Sequence, residues 1–427
     1  MEKRIILVLA VLALVGFLGG LYLTGTLKFP TQNPSASCPT PSIVYVYETE
    51  AQKNAADSIT STFKTVLNNY GINIINVPVC TIPASALPQK LRVYPALLYK
   101  GNISALRMYT TGSIGDYNIL APTISATFAY YQGVKVTFGV TVEALIVEGS
   151  SPYSKLNVSD ETLKDMLAQV AIANIAKITR VKPEEIGVTP LYLPTTVFKS
   201  DYNLSQGVKY LVKLKDNIYG LSNETQLSLL SYLGISVYEI RTPPAPILNK
   251  GVPYGSNATV TLYLLEDYHC PFCADLFNSV GNEFQSIVRQ GKLQLVFVDL
   301  IVHPEVIEMH AFTKCIYNMT GSGEVYFNIT RDLYRIGTST TINDSKSIAL
   351  RYLSQGIVTK AQECANATVN DVRQNAQQIT SIGFTGTPTL IFWNNSTRKG
   401  IVIEGCLQVH PCLTQQQLEQ ILAWLGS

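Results

Sequence analysis

Apolar positions along the chain alternate between strand-like runs and helix-like stripes, and the sharpest change falls between Val260 and Phe277. Val260 to Leu265 is a short, partly β-branched apolar run, the pattern of a central strand. From Cys270 the spacing turns helical, with Phe272, Leu276, Val280, Phe284 and Val288 near one face. Cys270 therefore sits at or just before a helix N-terminus, and Cys273 lies about one turn further on. Upstream, Ile43–Tyr47 predicts a strand. Ala51–Tyr70 predicts an amphipathic helix with Ile59, Phe63, Val66, Leu67 and Tyr70 inward, closed by Gly71. Ile72–Val79 and Tyr94–Tyr99 predict strands, the latter running on through Gly101-Asn102 into Leu106–Tyr109. Between Thr111 and Glu239 the pattern weakens to one or two strands in Val134–Ile146, a helix capped by Ser159 through Ile178, and a short helix over Asn223–Leu233. Leu293–Val298 predicts a strand, a long helical stretch runs from Val302 to about Gln378, and strands Thr389–Trp393 and Ile401–Glu404 follow. Thr414 and Gln417 open the last helix as a capping box, Leu418, Ile421, Leu422 and Leu425 give its apolar face, and Gly426 ends it.

This pattern divides the chain into an apolar N-terminal segment 1–24, a Pro/Ser/Thr-rich tether 25–41, an α/β domain 42–240, a linker 241–256 opening with Arg241-Thr-Pro-Pro-Ala-Pro246, and a C-terminal domain 257–427. The run Ile5–Leu23 is just long enough to cross a bilayer, and Lys3 and Arg4 before it predict an uncleaved anchor with its N-terminus inside. A cleaved signal peptide is the alternative.

Composition sharpens the compartment. Of 427 residues 47% are apolar, enough for two or three cores, and the net charge of +2 with no basic run excludes nucleic-acid binding. Asn-x-Ser/Thr sites recur from Asn102 to Asn395, including Asn257 and Asn394, and read as surface acceptors in an exported protein. Eight cysteines suit an oxidising compartment. Cys38 and Cys80 are the only pair in the first half, Cys315 and Cys364 flank a helical region, and Cys406 and Cys412 flank a short loop, so these three pairings are the expected structural disulfides. The Cys406–Cys412 loop also admits a metal-loop reading, although it has no further ligands nearby in sequence; no metal and no cofactor are expected.

That leaves Cys270-Pro271-Phe272-Cys273. Free N–H groups and the positive end of the helix dipole favour a thiolate at Cys270, and Cys273 can close a small ring with it, the arrangement of reversible disulfide chemistry. Half of a zinc site is the rival, but no second ligand pair follows at finger spacing. Far downstream, Gly383-Phe-Thr-Gly-Thr-Pro-Thr-Leu-Ile-Phe-Trp393 places Thr387-Pro388 at the head of an apolar strand, where a cis-proline turn is expected. The strand–CPFC–helix and the Gly-Thr-Pro-Thr strand together resemble the thioredoxin-like superfamily, specifically its DsbA-like branch. The resemblance covers about 170 residues and implies an α/β thioredoxin-like fold with the helical stretch as an insertion.

It further implies that Cys270 is the exchanging sulfur, Cys273 the resolving one, Pro271 and Phe272 the tuning dipeptide, and Thr387 and Pro388 the substrate-facing turn. His269 would add positive charge if protonated, while Glu266 and Asp267 are expected to face solvent or cap the helix. His303 and His310 read as helix-start or surface residues. The chain departs from the branch at Leu264, where many members carry a buried acid six positions before the first cysteine, so no proton acceptor for Cys273 is identified. Pro95–Asn102 echoes Pro388–Asn395, which suggests a second, degenerate unit in 42–240 with Glu48–Ala51 where the dithiol would fall. The expected function is an exported, membrane-anchored oxidoreductase that forms disulfides in protein substrates. The alternatives are an isomerase or reductase kept reduced by a membrane redox partner, and a non-catalytic binding module with a static disulfide.

Overall fold

The structure, a computed structural model, describes residues 38–151, 153, 155–256 and 258–426. The expected anchor, most of the tether and Asn257 lie outside the described residues. No described helix is long and apolar enough to cross a membrane. The chain forms two compact units: one takes the described chain up to Ile146 with Val158–Val181 and Thr196–Thr225, the other Val147–Asn157, Lys182–Thr195 and the chain from Gln226 onward.

The first unit contains two five-stranded sheets and a two-stranded one that pairs Val93–Tyr94 with Thr137–Phe138. The first is built from β1 (Ser42–Tyr47), α1 (Glu50–Asn54), α2 (Ala56–Asn69), β2 (Val79–Pro83), β3 (Ala96–Lys100), β4 (Thr110–Ile114), β5 (Tyr117–Leu120) and α3 (Pro122–Tyr131). Its strand order is β2-β1-β3-β5-β4, with β1 parallel to β2 and antiparallel to β3. Ile43 and Tyr45 of β1 face Ile59, Phe63 and Leu67 of α2 in one core, while Val44 and Val46 enter a second core on the other face. Two expected strands shift. The second begins at Val79 rather than Ile72, because the parallel register pairs Ile43 with Val79. Leu106–Tyr109 belongs to a 3-10 turn over Ser104–Tyr109, and the strand starts at Thr110.

The second sheet comes from β6 (Thr141–Val147), α4 (Asp160–Ala171), β7 (Asn174–Val181), β8 (Thr195–Lys199), β9 (Leu211–Lys215) and β10 (Ile218–Leu221), ordered β7-β6-β8-β10-β9, and is followed by α5 (Asn223–Tyr232), most of which belongs to the second unit. That is the order of the first sheet repeated, and Tyr94-Pro95 and Leu193-Pro194, both cis, stand just before β3 and β8. The helix expected through Ile178 stops earlier. Ile172 takes a left-handed cap at φ 49°, and the β-branched run after it forms β7. The Arg92 guanidinium ties the two sheets together. It is buried and donates to the carbonyls of Ala171 and Ile172 at the end of α4 and to Leu204, 2.6 Å away. Burial lowers its pKa to about 10, and the negative end of α4 compensates the charge.

The segment Glu48–Ala51, expected at the position of a missing dithiol, opens α1. Thr49, not Glu48, is the N-cap of α1, and Gln52 lies at its third helical position; the two form a capping box. Gln52 is 1% exposed. Its Nε2 donates to the carbonyls of Tyr94 and Lys135, each at 3.1 Å, so the carbonyl before Pro95 is occupied from within. Gln52→Ala leaves these acceptors unpaired. It should destabilise this unit by about 2–3 kcal/mol, read as faster hydrogen exchange in β1 and β3; unchanged protection there would refute the assignment.

The second unit continues with β11 (Val237–Ile240), β12 (Val252–Tyr254), β13 (Val260–Glu266), α6 (Pro271–Arg289), β14 (Leu293–Asp299), α7 (Ile307–Thr320), α8 (Gly323–Ile336), α9 (Ile342–Ala349), α10 (Gln355–Ser381), β15 (Thr389–Asn394), β16 (Lys399–Glu404) and α11 (Gln415–Leu425). Its sheet runs Tyr192–Leu193, β11, β16, β15, β13, β14, β12. The segment expected as a linker thus contributes β12, paired with β14. β13 is buried at every residue, parallel to β14 and antiparallel to β15. The long helical stretch is four helices, with Gly321 at φ 62° ending α7. Cys315–Cys364 joins α7 to α10, and Cys38–Cys80 and Cys406–Cys412 are likewise bonded. Asn394, expected as a surface acceptor, is fully buried, its amide donating to the Leu425 carbonyl at 3.0 Å. β15 is buried along its whole length, and alternation puts Asn394 on the face of Leu390 and Phe392.

Candidate active site

β13 delivers the chain to the N-terminus of α6, where Cys270 is the N-cap in extended conformation and Pro271 occupies the first turn. Proline suits that position because its missing N–H has no partner to lose there. Cys273, Leu276, Phe277, Val280, Phe284 and Val288 turn inward. Phe272, expected on that face, is 45% exposed. Residues spaced by four drift about 40° per step around a helix, so the stripe centred on Val280 leaves Phe272 to the side and recruits Phe277.

Cys270 and Cys273 are the free cysteines among the described residues. The Cys270 thiol lies 3.2 Å from the Thr387 carbonyl, which precedes cis Pro388, so the structure brings CPFC and the Thr387-Pro388 turn together. The Cys270 pKa falls to about 6, first through the hydrogen bond from the Cys273 thiol, then through Thr387 and the N–H groups of Cys273 and Phe272, with burial opposing. Burial pushes the Cys273 thiol well above its ordinary value, and its bond to Cys270 adds to this. One sulfur, 4% exposed at the helix cap, is thus the thiolate, and the other, 1% exposed, is an inner thiol. Alkylation of the reduced protein should modify Cys270 with a midpoint near pH 6 and leave Cys273 untouched, as peptide mapping after iodoacetamide can check. A midpoint near that of a free thiol would contradict this.

Behind the dithiol lies a buried charge cluster that the sequence does not announce. Glu266 and Asp267, expected to face solvent or cap the helix, are both 0% exposed, and so is His310, expected at a helix start or on the surface. The reason is topological: the four-helix insertion covers the end of β13. His310 on α7 lies with Nδ1 2.9 Å from Asp299 Oδ1 and 4.0 Å from Glu266 Oε1, and Lys314 lies 3.7 Å from Asp299. The Tyr334 hydroxyl donates to Glu266 Oε2. Tyr268 stacks on His310 with ring centroids 4.2 Å apart. Desolvation raises the Glu266 pKa to about 7 against the pull of His310 and Tyr334. Burial works to lower that of His310, but the Asp299 hydrogen bond and the Glu266 charge outweigh it and the net shift is upward. Glu266 Oε1 and His310 Nε2 have no hydrogen-bond partner. The Glu266 charge raises Cys273, and Cys273 in turn raises Tyr334. The Glu266 charge thus acts on the inner sulfur, and the cluster supplies an ionisable group where Leu264, wholly in the core, cannot. The three donor atoms of Glu266, Asp299 and His310 also lie close enough to hold a cation, but the Lys314 ammonium and full burial oppose one.

Asp267 organises the turn. Its carboxylate accepts from the N–H groups of His269, Val302 and His303 at 2.8–2.9 Å and meets the His303 ring at 2.9 Å. His269 contacts the Glu305 carboxylate through Nδ1 at 3.2 Å and the Thr340 carbonyl through Nε2 at 2.8 Å. Both are acceptors, so only the doubly protonated ring donates to both.

A family profile described as Thioredoxin matches residues 250–400. Among solved structures the chain is similar to DsbA2 of Pseudomonas aeruginosa, at 18% identity over 41% of this chain and 94% of that one, TM-score 0.32. It is similar to BdbD of Bacillus subtilis, in its oxidised form, at 12% identity over 43% and 96%, TM-score 0.35. It is similar to BcfH of Salmonella enterica Typhimurium at 16% identity over 41% and 75%, TM-score 0.32. No curated protein matches the chain in sequence. The profile spans β12 to β15, and with them the CPFC turn, the helical insertion and the Thr387-Pro388 turn, so this stretch of the chain is similar to thioredoxins.

Proposed function

We propose that the chain is an exported, membrane-anchored oxidase that introduces disulfides into protein substrates through Cys270 and Cys273. The acidic Cys270 carries this reading. A thiolate with pKa about 6 is ionised at neutral pH. It therefore stabilises the reduced dithiol and makes the disulfide a stronger oxidant, by about 30 mV for each pKa unit below ambient pH.

In the reaction a substrate thiolate attacks the Cys270 sulfur of the Cys270–Cys273 disulfide. A substrate–Cys270 bond forms, and Cys273 leaves as a thiolate. With its raised pKa, Cys273 takes up a proton, and the group assigned here to provide it is the Glu266–His310 cluster, whose charge acts on Cys273. A second substrate thiolate then attacks the substrate sulfur, forming the product disulfide and releasing the Cys270 thiolate. Two electrons pass from substrate to dithiol, and a disulfide-bearing membrane partner resets the pair.

The two five-stranded sheets of the first unit are degenerate thioredoxin-like copies. Their repeated strand order supports this, and neither contains a free cysteine pair among the described residues. The apolar run before the described residues and the sequon density support the exported, anchored topology. Trapping tests the function: Cys273→Ser should accumulate substrate proteins disulfide-bonded to Cys270, and recovery of none from an oxidising compartment would remove the exchange reading.

A further inference from the structure

Pro95, Pro194 and Pro388 stand just before β3, β8 and β15. At Pro388 the preceding carbonyl, that of Thr387, receives the Cys270 thiol, and among the described residues Gly386-Thr387 belongs to no strand. At the other two prolines the preceding residues are already paired. Val93–Tyr94 runs antiparallel to Thr137–Phe138, with Tyr94 opposite Thr137. Tyr192–Leu193 runs antiparallel to β11, with Leu193 opposite Glu239. In both cases the partner is the chain that leads onward: 137–138 lies between α3 and β6, and β11 lies between α5 and β12.

The side chains opposite these pre-proline residues meet the turns that correspond to the dithiol. Gln52 is the third residue of α1, as Cys273 is of α6. Its Nε2 donates to Thr137 Oγ1 at 3.3 Å as well as to the Tyr94 carbonyl. Ser151 comes four residues after the end of β6, as Cys270 does after β13. Its N–H donates to the Glu239 carboxylate, and both residues are fully buried. Gly149 approaches that carboxylate so closely that a Cβ there would collide with it. Each set of contacts lies within a single compact unit. The same arrangement of pre-proline residue, opposed side chain and dithiol-turn group thus occurs twice, with different residue types.

Resting on the reading of the two five-stranded sheets as degenerate copies, we propose that each copy holds the onward chain as a built-in pseudosubstrate. Thr137 and Glu239 stand where a polypeptide joined to Cys270 would place its reacting residue, and a hydrogen bond replaces the mixed disulfide. An unpaired strand edge captures an extended segment through main-chain hydrogen bonds. With these two edges filled from within, they are closed to foreign polypeptide, and the Thr387 edge is left to receive it.

The test rebuilds the missing bond in the full chain, with Cys270→Ser and Cys273→Ser so that no exchange site interferes. Ser151→Cys is combined in turn with Glu239→Cys, Val237→Cys and Arg241→Cys. Oxidised glutathione is added as the electron acceptor, and cross-links are mapped by non-reducing digestion. A link from position 151 to 239 should form at least about tenfold faster than one to 237 or 241, which lie about 7 Å away along the strand. Glu239 also pairs with Arg241 at 2.9 Å, so a second variant leaves both in place. Gly149→Ala pushes the turn off the carboxylate and should speed amide exchange in 192–193 and 237–240 by about tenfold. Equal linking to all three positions, or unchanged amide exchange in Gly149→Ala, overturns the proposal. Dithiothreitol oxidation by the wild-type chain reports on Cys270 separately; its absence would overturn the exchange reading, and the pseudosubstrate with it.

Discussion

Cys270→Ser is expected to abolish oxidation of any dithiol substrate, by on the order of 10³-fold or more, while Cys273→Ser keeps a reactive thiol and stalls at the mixed disulfide. The asymmetry follows from the two environments. Cys270, 4% exposed, caps α6 and is drawn toward the thiolate by its neighbours, whereas Cys273, 1% exposed, is held as a thiol by burial. The ionised sulfur is the one that exchanges with a substrate, so its loss removes the reaction. The inner one resolves, so its loss leaves the first half of the reaction intact. Stopped-flow oxidation of a dithiol peptide and non-reducing electrophoresis read the two outcomes. Equal loss in both variants, with no trapped adduct from Cys273→Ser, would contradict the division of roles.

Glu266→Gln should slow the half-reaction that moves a proton at Cys273 by on the order of 10²-fold at neutral pH without shifting the alkylation midpoint of Cys270. It should also change how stability depends on pH. The folded Glu266 pKa is about 7 against an ordinary 4.5. Between those values the native state holds a proton that the unfolded chain has lost, so stability falls as pH rises through this window. The fall amounts to about 3 kcal/mol if the shift is taken at face value. His310, also raised, contributes stability that is complete below its unfolded pKa of about 6.5 and is lost as pH climbs through its higher folded value. Glutamine removes the Glu266 part of the slope and leaves the His310 part. Denaturant titrations of both proteins at pH 5 and pH 8 separate these contributions; parallel pH profiles would show that Glu266 is already ionised throughout.

The dithiol and its turn were legible because their chemistry lies in residue type and spacing. Two cysteines at a strand–helix junction and a proline at a strand head announce themselves from sequence alone. The acid cluster did not, because a buried ionisable group leaves no periodic mark. Glu266 follows the last apolar residue of β13 and resembles a solvent-facing strand end until α7 and α8 are laid over it. His310 reaches it from an insertion whose packing the helical pattern does not disclose. The repeated sheet in 141–232 did leave a signal: Leu193-Pro194-Thr-Thr-Val-Phe-Lys199 parallels Tyr94-Pro95-Ala-Leu-Leu-Tyr-Lys100. It was obscured because the chain around it crosses between the two compact units and because the short strand Tyr192–Leu193 pairs in the other sheet. Gln52 was hidden for a simpler reason. A glutamine that caps its own helix and occupies a carbonyl looks, in sequence, like any polar residue in a first turn.

The most direct test of the oxidase reading is the reduction potential of the Cys270–Cys273 pair, from equilibration of the full chain with glutathione buffers at pH 7. A thiolate held at Cys270 predicts an oxidising value near about −120 mV, while a value near about −270 mV would mark a reductant and contradict it.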